Sequence, residues 1–202
     1  ITRYSRLQWC NSSSMINNDQ ATGSFFCDQV TVIDDFLPKE QFEQISSLIM
    51  NQQESNFPFY IQQDVANADD VDSNRLWSWY ATHAFYVDHE AKCKYFPLIK
   101  ELFLTKFRDE MKIMSGLIRV KANFYPWTSE VREHNWHIDY PGLRNNAALF
   151  SLNTCNGYTS FKEVGKVDSV SNRMIFFNSH IEHCSSTTSN YYGRYNINFN
   201  FL

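Results

Sequence analysis

No CxxC pair occurs in this sequence, and its five cysteines, Cys10, Cys27, Cys93, Cys155 and Cys184, are odd in number and widely scattered. That argues against a zinc knuckle or a disulfide framework. Reduced thiols in a cytoplasmic protein are the plain reading. Basic runs are missing as well and the net charge is −4, so nucleic acid is not expected as a partner. No apolar stretch approaches the roughly 20 residues of a membrane helix, so no membrane partner is expected, and the N-terminus lacks a signal-peptide pattern. Internal repeats and an interdomain linker are not visible. The chain begins with Ile1 rather than Met, which leaves a cut beginning open, with Met15 as an internal candidate start.

What is present is a folded-protein composition. Across 202 residues, 43% are hydrophobic and 16% aromatic, enough for one domain with a sizeable core. Residues 1–24 are polar, rich in Ser and Asn, and read as a loosely held arm; 25–202 read as the single domain. FFCDQVTVIDDF (25–36) reads as a strand with Val30 and Val32 on one face. Pro38 opens a helix with Phe42, Ile45 and Ile49 at near-helical spacing. Residues 52–74 are polar, with Asp69, Asp70 and Asp72, and are expected to form a long loop of the kind that serves as a lid or binding segment. RLWSWYATHAFYV (75–87) is a strand by composition. A second helix is expected from about Tyr95 to Met111, with Ile99, Leu102, Phe103 and Phe107 as its stripe. Strand-like runs follow at 117–125, 147–153, 158–161, 173–178 and 194–202. Two helices before a run of short strands predict an α+β, mainly β domain whose later half is a sandwich or barrel.

Two strands alternate in a way that bears on function. In the last, Arg194, Asn196, Asn198 and Asn200 oppose Tyr195, Ile197, Phe199 and Phe201; in 119–125, Arg119, Lys121, Asn123 and Tyr125 oppose Val120, Ala122 and Phe124. One account is a solvated polar face on an antiparallel sheet. The other is a barrel with a polar interior that accepts a charged small molecule. Alternation alone favours the first.

HNWHIDY (134–140) places His137 and Asp139 two residues apart before a turn at Pro141-Gly142. On a strand they share a face. FFNSHIEHC (176–184) offers His180 and His183 after an apolar strand. Two histidines and a carboxylate on one side of an octahedral ion suit non-haem Fe(II), which needs open positions for a cosubstrate and O₂. An HxD pair by itself is weak evidence. Arg194, eleven residues past His183, adds a group that pairs bidentately with a carboxylate. A zinc hydrolase is less attractive, because no general base is evident and Arg194 would lack a role.

HNWHIDY, NRMIFFNSHIEHC and GRYNINF together resemble the HxD…H…R signature of the Fe(II)- and 2-oxoglutarate-dependent oxygenases. The similarity is to the prolyl-4-hydroxylase-like branch, including forms found in phage genomes. VIDDFLPKEQFEQI and IRVKANFYP resemble that group's N-terminal strand and helix and the strand before its HxD, so residues 25–202 are covered. The resemblance implies a double-stranded β-helix, a jelly-roll or cupin-like barrel with the N-terminal helices packed on one sheet. It implies His137, Asp139 and His183 as iron ligands, His183 rather than His180 by the spacing from Phe177. Arg194 would bind the far carboxylate of 2-oxoglutarate, and Tyr125 or Asn123 would complete that pocket. Arg194-Tyr195-Asn196 departs from the Arg-x-Ser of many members, yet the Asn196 amide still donates to a carboxylate. The implied activity is hydroxylation using Fe(II), 2-oxoglutarate and O₂, on peptidyl proline or a free amino acid, in a cytoplasm that is the host's if the chain is phage-encoded. The alternative from another class is a non-enzymatic jelly-roll binding or virion protein with a structural metal. His134 and His180 are expected beside the site or facing solvent, His83 and His89 as structural, and Trp127 and Trp136 around the mouth. Arg173 is expected as a surface cap, and Gly157 is expected to serve the backbone.

Overall fold

The final strand, β11 (Gly193–Phe201), is buried along its whole length and organises the domain. In the computed structural model, which describes residues 30–63 and 76–202, it pairs with β5 (Leu117–Pro126) on one side and β6 (Asn146–Ser151) on the other. Beyond β6 lie β9 (Arg173–Asn178) and β1 (Thr31–Ile33); beyond β5 lie β3 (Tyr80–Val87) and β2 (Tyr60–Gln62), with the short β4 (Glu90–Ala91) also on β3. All these pairings are antiparallel. A second, three-stranded sheet runs β10 (His183–Ser185), β7 (Tyr158–Phe161), β8 (Gly165–Asp168).

One face of the large sheet is an aromatic core. Tyr195, Ile197, Phe199 and Phe201 of β11 pack against Phe36, Phe103, Phe107 and Phe150. The rings of Phe103 and Phe150, and of Phe103 and Phe199, sit 5.0 Å apart by centroid in tilted or edge-on pairs, the geometry their quadrupoles favour. The helix α1 (Lys39–Met50) contributes Ile45 and Ile49, fully buried one turn apart. The second helix starts as α3 (Phe96–Ile99) but continues through two wide π-helical turns, Lys100–Leu104 and Lys106–Glu110. Leu102, Phe103 and Leu104 are buried in succession, and a wider turn presents such a run to the core more easily than 3.6-residue geometry does.

The other face meets the small sheet. Over β1, β6 and β9 the gap is apolar: Val32, Leu149, Ile175 and Phe177 meet Phe161 and Val167. Over β5 and β11 it is polar, and there the candidate site lies. The polar side of β11 is therefore covered, with Arg194, Asn196 and Asn200 at 0% exposure, and the solvated-face account fails because the small sheet lies over it.

Among the described residues the large sheet ends at β1 and β2 and does not close on itself. Segment 127–137 instead runs beside 183–188 through isolated bridges at Trp127, Glu133 and His137. HNWHIDY (134–140), whose two site residues would share a face on a strand, has only the single bridge at His137. The expected long loop contains a helical turn, α2 (Gln52–Ser55), before β2, while 64–75 lie outside the described residues. The polar arm and the start of the 25–36 strand, up to residue 29, also lie outside. Cys93, Cys155 and Cys184 are free thiols. No helix among the described residues is long and apolar enough to cross a membrane.

Candidate metal centre

The backbones of His137 and His183 hold each other. Each donates its N–H to the other's carbonyl, at 2.9 and 3.0 Å, the hydrogen-bonded type of antiparallel pair. This sets the imidazole centroids 4.5 Å apart. Asp139 follows in a bend rather than on a strand, and its Oδ2 accepts a 2.7 Å hydrogen bond from Asn200 Nδ2 of β11. The turn after it is present, with Gly142 at φ +86° and open space where a Cβ would stand. Ligand atoms of His137, Asp139 and His183 lie within 4.8 Å of one another.

Proton positions follow from the partners. His137 Nδ1 faces the Asn135 carbonyl at 3.3 Å, and His183 Nδ1 faces the Ile181 carbonyl at 2.9 Å. A carbonyl only accepts, so the neutral form of each ring carries its proton on Nδ1 and turns Nε2 toward a metal. Burial, joined by the neighbouring His183, pushes the His137 pKa down to about 4, so this ring is neutral at pH 7. Burial raises the Asp139 carboxyl, but the charges of His183, Arg119 and Lys121 and the Asn200 bond outweigh it. The group stays well below the ordinary carboxylate range. His137 Nε2 and Asp139 Oδ1 approach to 3.8 Å. With the ring neutral this is no ion pair: two lone-pair atoms face each other, an arrangement a cation relieves.

Around the triad the cavity is lined by the polar side chains of Asn123, Tyr125, Thr159, Ser185 and Asn196, with Leu149 and Phe177 as its apolar part. Asn123 Nδ2 donates to Asn196 Oδ1 at 2.9 Å, while Asn123 Oδ1 and Asn196 Nδ2 are buried without a partner. Arg194 stands directly behind this wall. Its guanidinium donates to Thr159 Oγ1 at 2.6 Å and to the Tyr158 carbonyl at 2.7 Å. It lies 5.6 Å from the Tyr125 ring centroid, and its Nε is buried without a partner. No carboxylate among the described residues neutralises it. Gly157 makes room for it: a Cβ there would meet Thr187 O at 2.6 Å and Arg194 Cδ at 3.0 Å. The glycine is needed for close approach.

His134 is buried beside the wall, its Nδ1 3.0 Å from Ser185 O and Oγ and its ring 5.3 Å from Tyr125. His180 lies away from the triad, exposed, with Nε2 on the Leu143 carbonyl at 2.9 Å. His83 sits among Phe57, Phe85 and Tyr95 on the far side of the large sheet, and His89 occupies the β3–β4 turn with φ 62°. Trp127 and Trp136 are half exposed. Arg173 does more than cap a surface: its fork grips both Asp34 oxygens at 2.6 and 3.0 Å, tying the chain after β1 to β9. Three residues of the site carried no assignment from sequence. Asn200 orients Asp139, Arg119 Nη2 stands 3.5 Å from Asp139 Oδ1, and Lys121 lines the cavity. Their signal was present, since all three lie on the polar faces of β5 and β11.

No family model and no curated protein matches the sequence. Solved structures do match in fold. A prolyl hydroxylase from Trichoplax adhaerens, in complex with a hypoxia inducible factor oxygen degradation domain peptide fragment, is 20% identical. It matches over 85% of this chain and 83% of its own, with a TM-score of 0.59. A prolyl-4-hydroxylase from Pseudomonas putida is 13% identical over 85% and 91% of the two chains, TM-score 0.54. A 2OG-Fe(II) oxygenase family protein from Burkholderia pseudomallei is 11% identical over 85% and 84%, TM-score 0.60. The resemblance read from the sequence thus extends to the fold, which this chain shares with prolyl hydroxylases and other 2OG-Fe(II) oxygenases.

Proposed function

We propose that this protein is an Fe(II)- and 2-oxoglutarate-dependent dioxygenase, a hydroxylase on a double-stranded β-helix whose two walls are the two sheets. The carrying observation is the donor set: a neutral imidazole with a free Nε2, a second ring of the same tautomer and an ionised carboxylate, all within 4.8 Å. Two imidazoles and one carboxylate suit Fe(II) with open coordination positions. Bound there with 2-oxoglutarate and O₂, the metal would supply the oxidising power for inserting a hydroxyl at a C–H bond.

The protein's own part is positioning. His137, Asp139 and His183 hold the ion, and Asn200 and the two backbone carbonyls aim their donor atoms. Arg194 Nε and Asn196 Nδ2 are buried donors lacking acceptors, two residues apart on one face of β11. A carboxylate satisfies both, which assigns them the far end of 2-oxoglutarate, with Tyr125, Asn123 and Thr159 around it. The partly buried setting of the triad limits the access of bulk water to the reacting atoms. The substrate is a peptide or a small molecule, peptidyl proline and free amino acids being the first classes to test.

An anaerobic titration with Fe(II) and 2-oxoglutarate, followed in the visible spectrum, tests this reading. The expected result is a weak charge-transfer band that requires both additions. Folded protein that gives no band overturns it and favours a binding protein with a structural metal.

A further inference from the structure

Two cations stand near the triad at the end of the cavity away from Arg194. Arg119 and Lys121 lie two residues apart on β5, on the face they share with Asn123 and Tyr125. Arg119 is engaged: it faces Asp139, donates to Asn200 and Asn198 at 3.2 and 3.4 Å, and lies over the Tyr140 ring at 5.0 Å. Lys121 is not. Among the described residues its ammonium has no hydrogen-bond acceptor and no carboxylate within 4 Å. Its near neighbour is the Tyr80 ring, with Nζ 5.4 Å from the centroid. Yet it lines the same cavity as His137 and Asp139. Burial, with Arg119 adding to it, lowers its pKa to about 8, which still leaves the amine mostly charged at neutral pH. Lys121 is half-buried, and an ammonium that faces a cavity with no protein acceptor is open to a ligand that supplies one.

A cosubstrate held at Arg194 has its anchor at a different place along the strands. In the β5–β11 register Arg194 stands opposite Tyr125 and Asn198 opposite Lys121. Four residues of strand separate the two backbone positions, about 13 Å at roughly 3.3 Å per residue, so Arg194 and Lys121 stand toward opposite ends of the cavity. Charge counting agrees. An Fe(II) ion is neutralised by Asp139 and the near carboxylate of 2-oxoglutarate, and the far carboxylate neutralises Arg194. Lys121 then remains without a counter-charge among the described residues.

We propose that the primary substrate is a small carboxylic acid, and that its carboxylate binds the Lys121 ammonium, with Arg119 as the second cation and Tyr80 and Tyr140 as aromatic walls. This rests on the oxygenase reading above and narrows it: a free amino acid or related acid fits, whereas an uncharged prolyl residue within a peptide would leave Lys121 unpaired.

The test is calorimetric and needs no turnover. Protein is loaded anaerobically with Mn(II) in place of iron, then with 2-oxoglutarate, then titrated with free L-amino acids and 2-hydroxy acids, each paired with its carboxamide. At least one acid is expected to bind about 10- to 100-fold tighter than its amide, the range of one hydrogen bond to a charged group. Lys121→Met should lose that preference while keeping its 2-oxoglutarate affinity, and Lys121→Arg, which retains the charge, should keep both. Equal binding of acid and amide in every pair overturns the proposal, as does a Lys121→Met protein that still prefers the acid. A loss of 2-oxoglutarate affinity in Lys121→Met makes Lys121 a cosubstrate anchor and overturns it too. Failure of the wild-type protein to take up Mn(II) and 2-oxoglutarate is seen before any acid is added, and removes the oxygenase reading together with this one.

Discussion

On one side of β11, Tyr195, Ile197, Phe199 and Phe201 interlock with aromatic rings from the helices; on the other, Arg194, Asn196, Asn198 and Asn200 face a second sheet across a polar cavity. Both sides are removed from solvent, so burial does not distinguish them. What differs is satisfaction. The aromatic side buries groups that need only contact, and Phe103 and Phe107 each find several ring partners at 5.0 to 6.4 Å. The polar side buries groups that need acceptors or donors and leaves some of them, Arg194 Nε and Asn196 Nδ2, without any. A chain gains stability from the first side and keeps the second for a ligand that completes it.

The comparison breaks most sharply if one change on each side moves the same property. Asp139→Ala removes a proposed ligand from the polar side. It should bring 2-oxoglutarate-dependent succinate formation to background and abolish the Fe(II)–2-oxoglutarate band in protein that still folds. Undiminished turnover would sink the assignment. On the apolar side, Phe199→Ala leaves a cavity beside Phe103 and Phe107 and should cost about 3–5 kcal/mol in chemical denaturation. Fe(II) affinity of the protein that stays folded should be unchanged. If Phe199→Ala weakens metal binding as strongly as it weakens folding, the two sides are not separable.

Sequence carried these two sides unequally. The apolar side was legible: Phe42, Ile45 and Ile49 mark α1 by their spacing, and Phe103 and Phe107 mark the second helix, though nothing in the pattern distinguishes its π turns from α turns. The alternation of β11 was equally plain, but its meaning depended on what covers it. The covering strands are short and polar (GKVD and HCS) and carry almost no periodic signal, so the polar row read as a solvated face. His137, Asp139 and His183 could be named from residue type and order. Their local geometry could not, because a bridge and a bend do the work expected of a strand. Lys121 and Asn200 shared the right faces, and only the closing of two sheets gives those positions neighbours.

A smaller change sharpens the comparison within the polar side. Asn200 does not touch the proposed ion; it donates at 2.7 Å to the Asp139 oxygen Oδ2 and also accepts from Arg119. Loss of such an outer partner typically costs about 10- to 100-fold in metal affinity. Asn200→Ala is therefore expected to weaken Fe(II) or Mn(II) binding by that factor in a direct titration, while 2-oxoglutarate turnover at saturating metal falls less than in Asp139→Ala. Wild-type metal affinity in Asn200→Ala would mean that the bend alone orients Asp139.

The smallest expected effect comes from a polar group set on the apolar side. His83 is 4% exposed among Phe57, Phe85 and Tyr95, with Nδ1 on the Pro58 carbonyl at 2.8 Å. Burial lowers its pKa below 6.5, against a weaker opposing push from the Pro58 bond. The unfolded chain therefore takes up a proton as pH falls through 6.5 while the folded chain refuses it, so stability is full above that pH and declines below it. One ring limits the slope to about 1.4 kcal/mol per pH unit. His137, also held neutral by burial, acts in the same direction, so the comparison must be differential. Denaturation midpoints of wild type and His83→Phe, followed from pH 7.5 down to pH 5, should diverge, with the variant losing less. Parallel curves would mean that the folded protein accepts the proton on His83, and that the aromatic side is less dry than its packing implies.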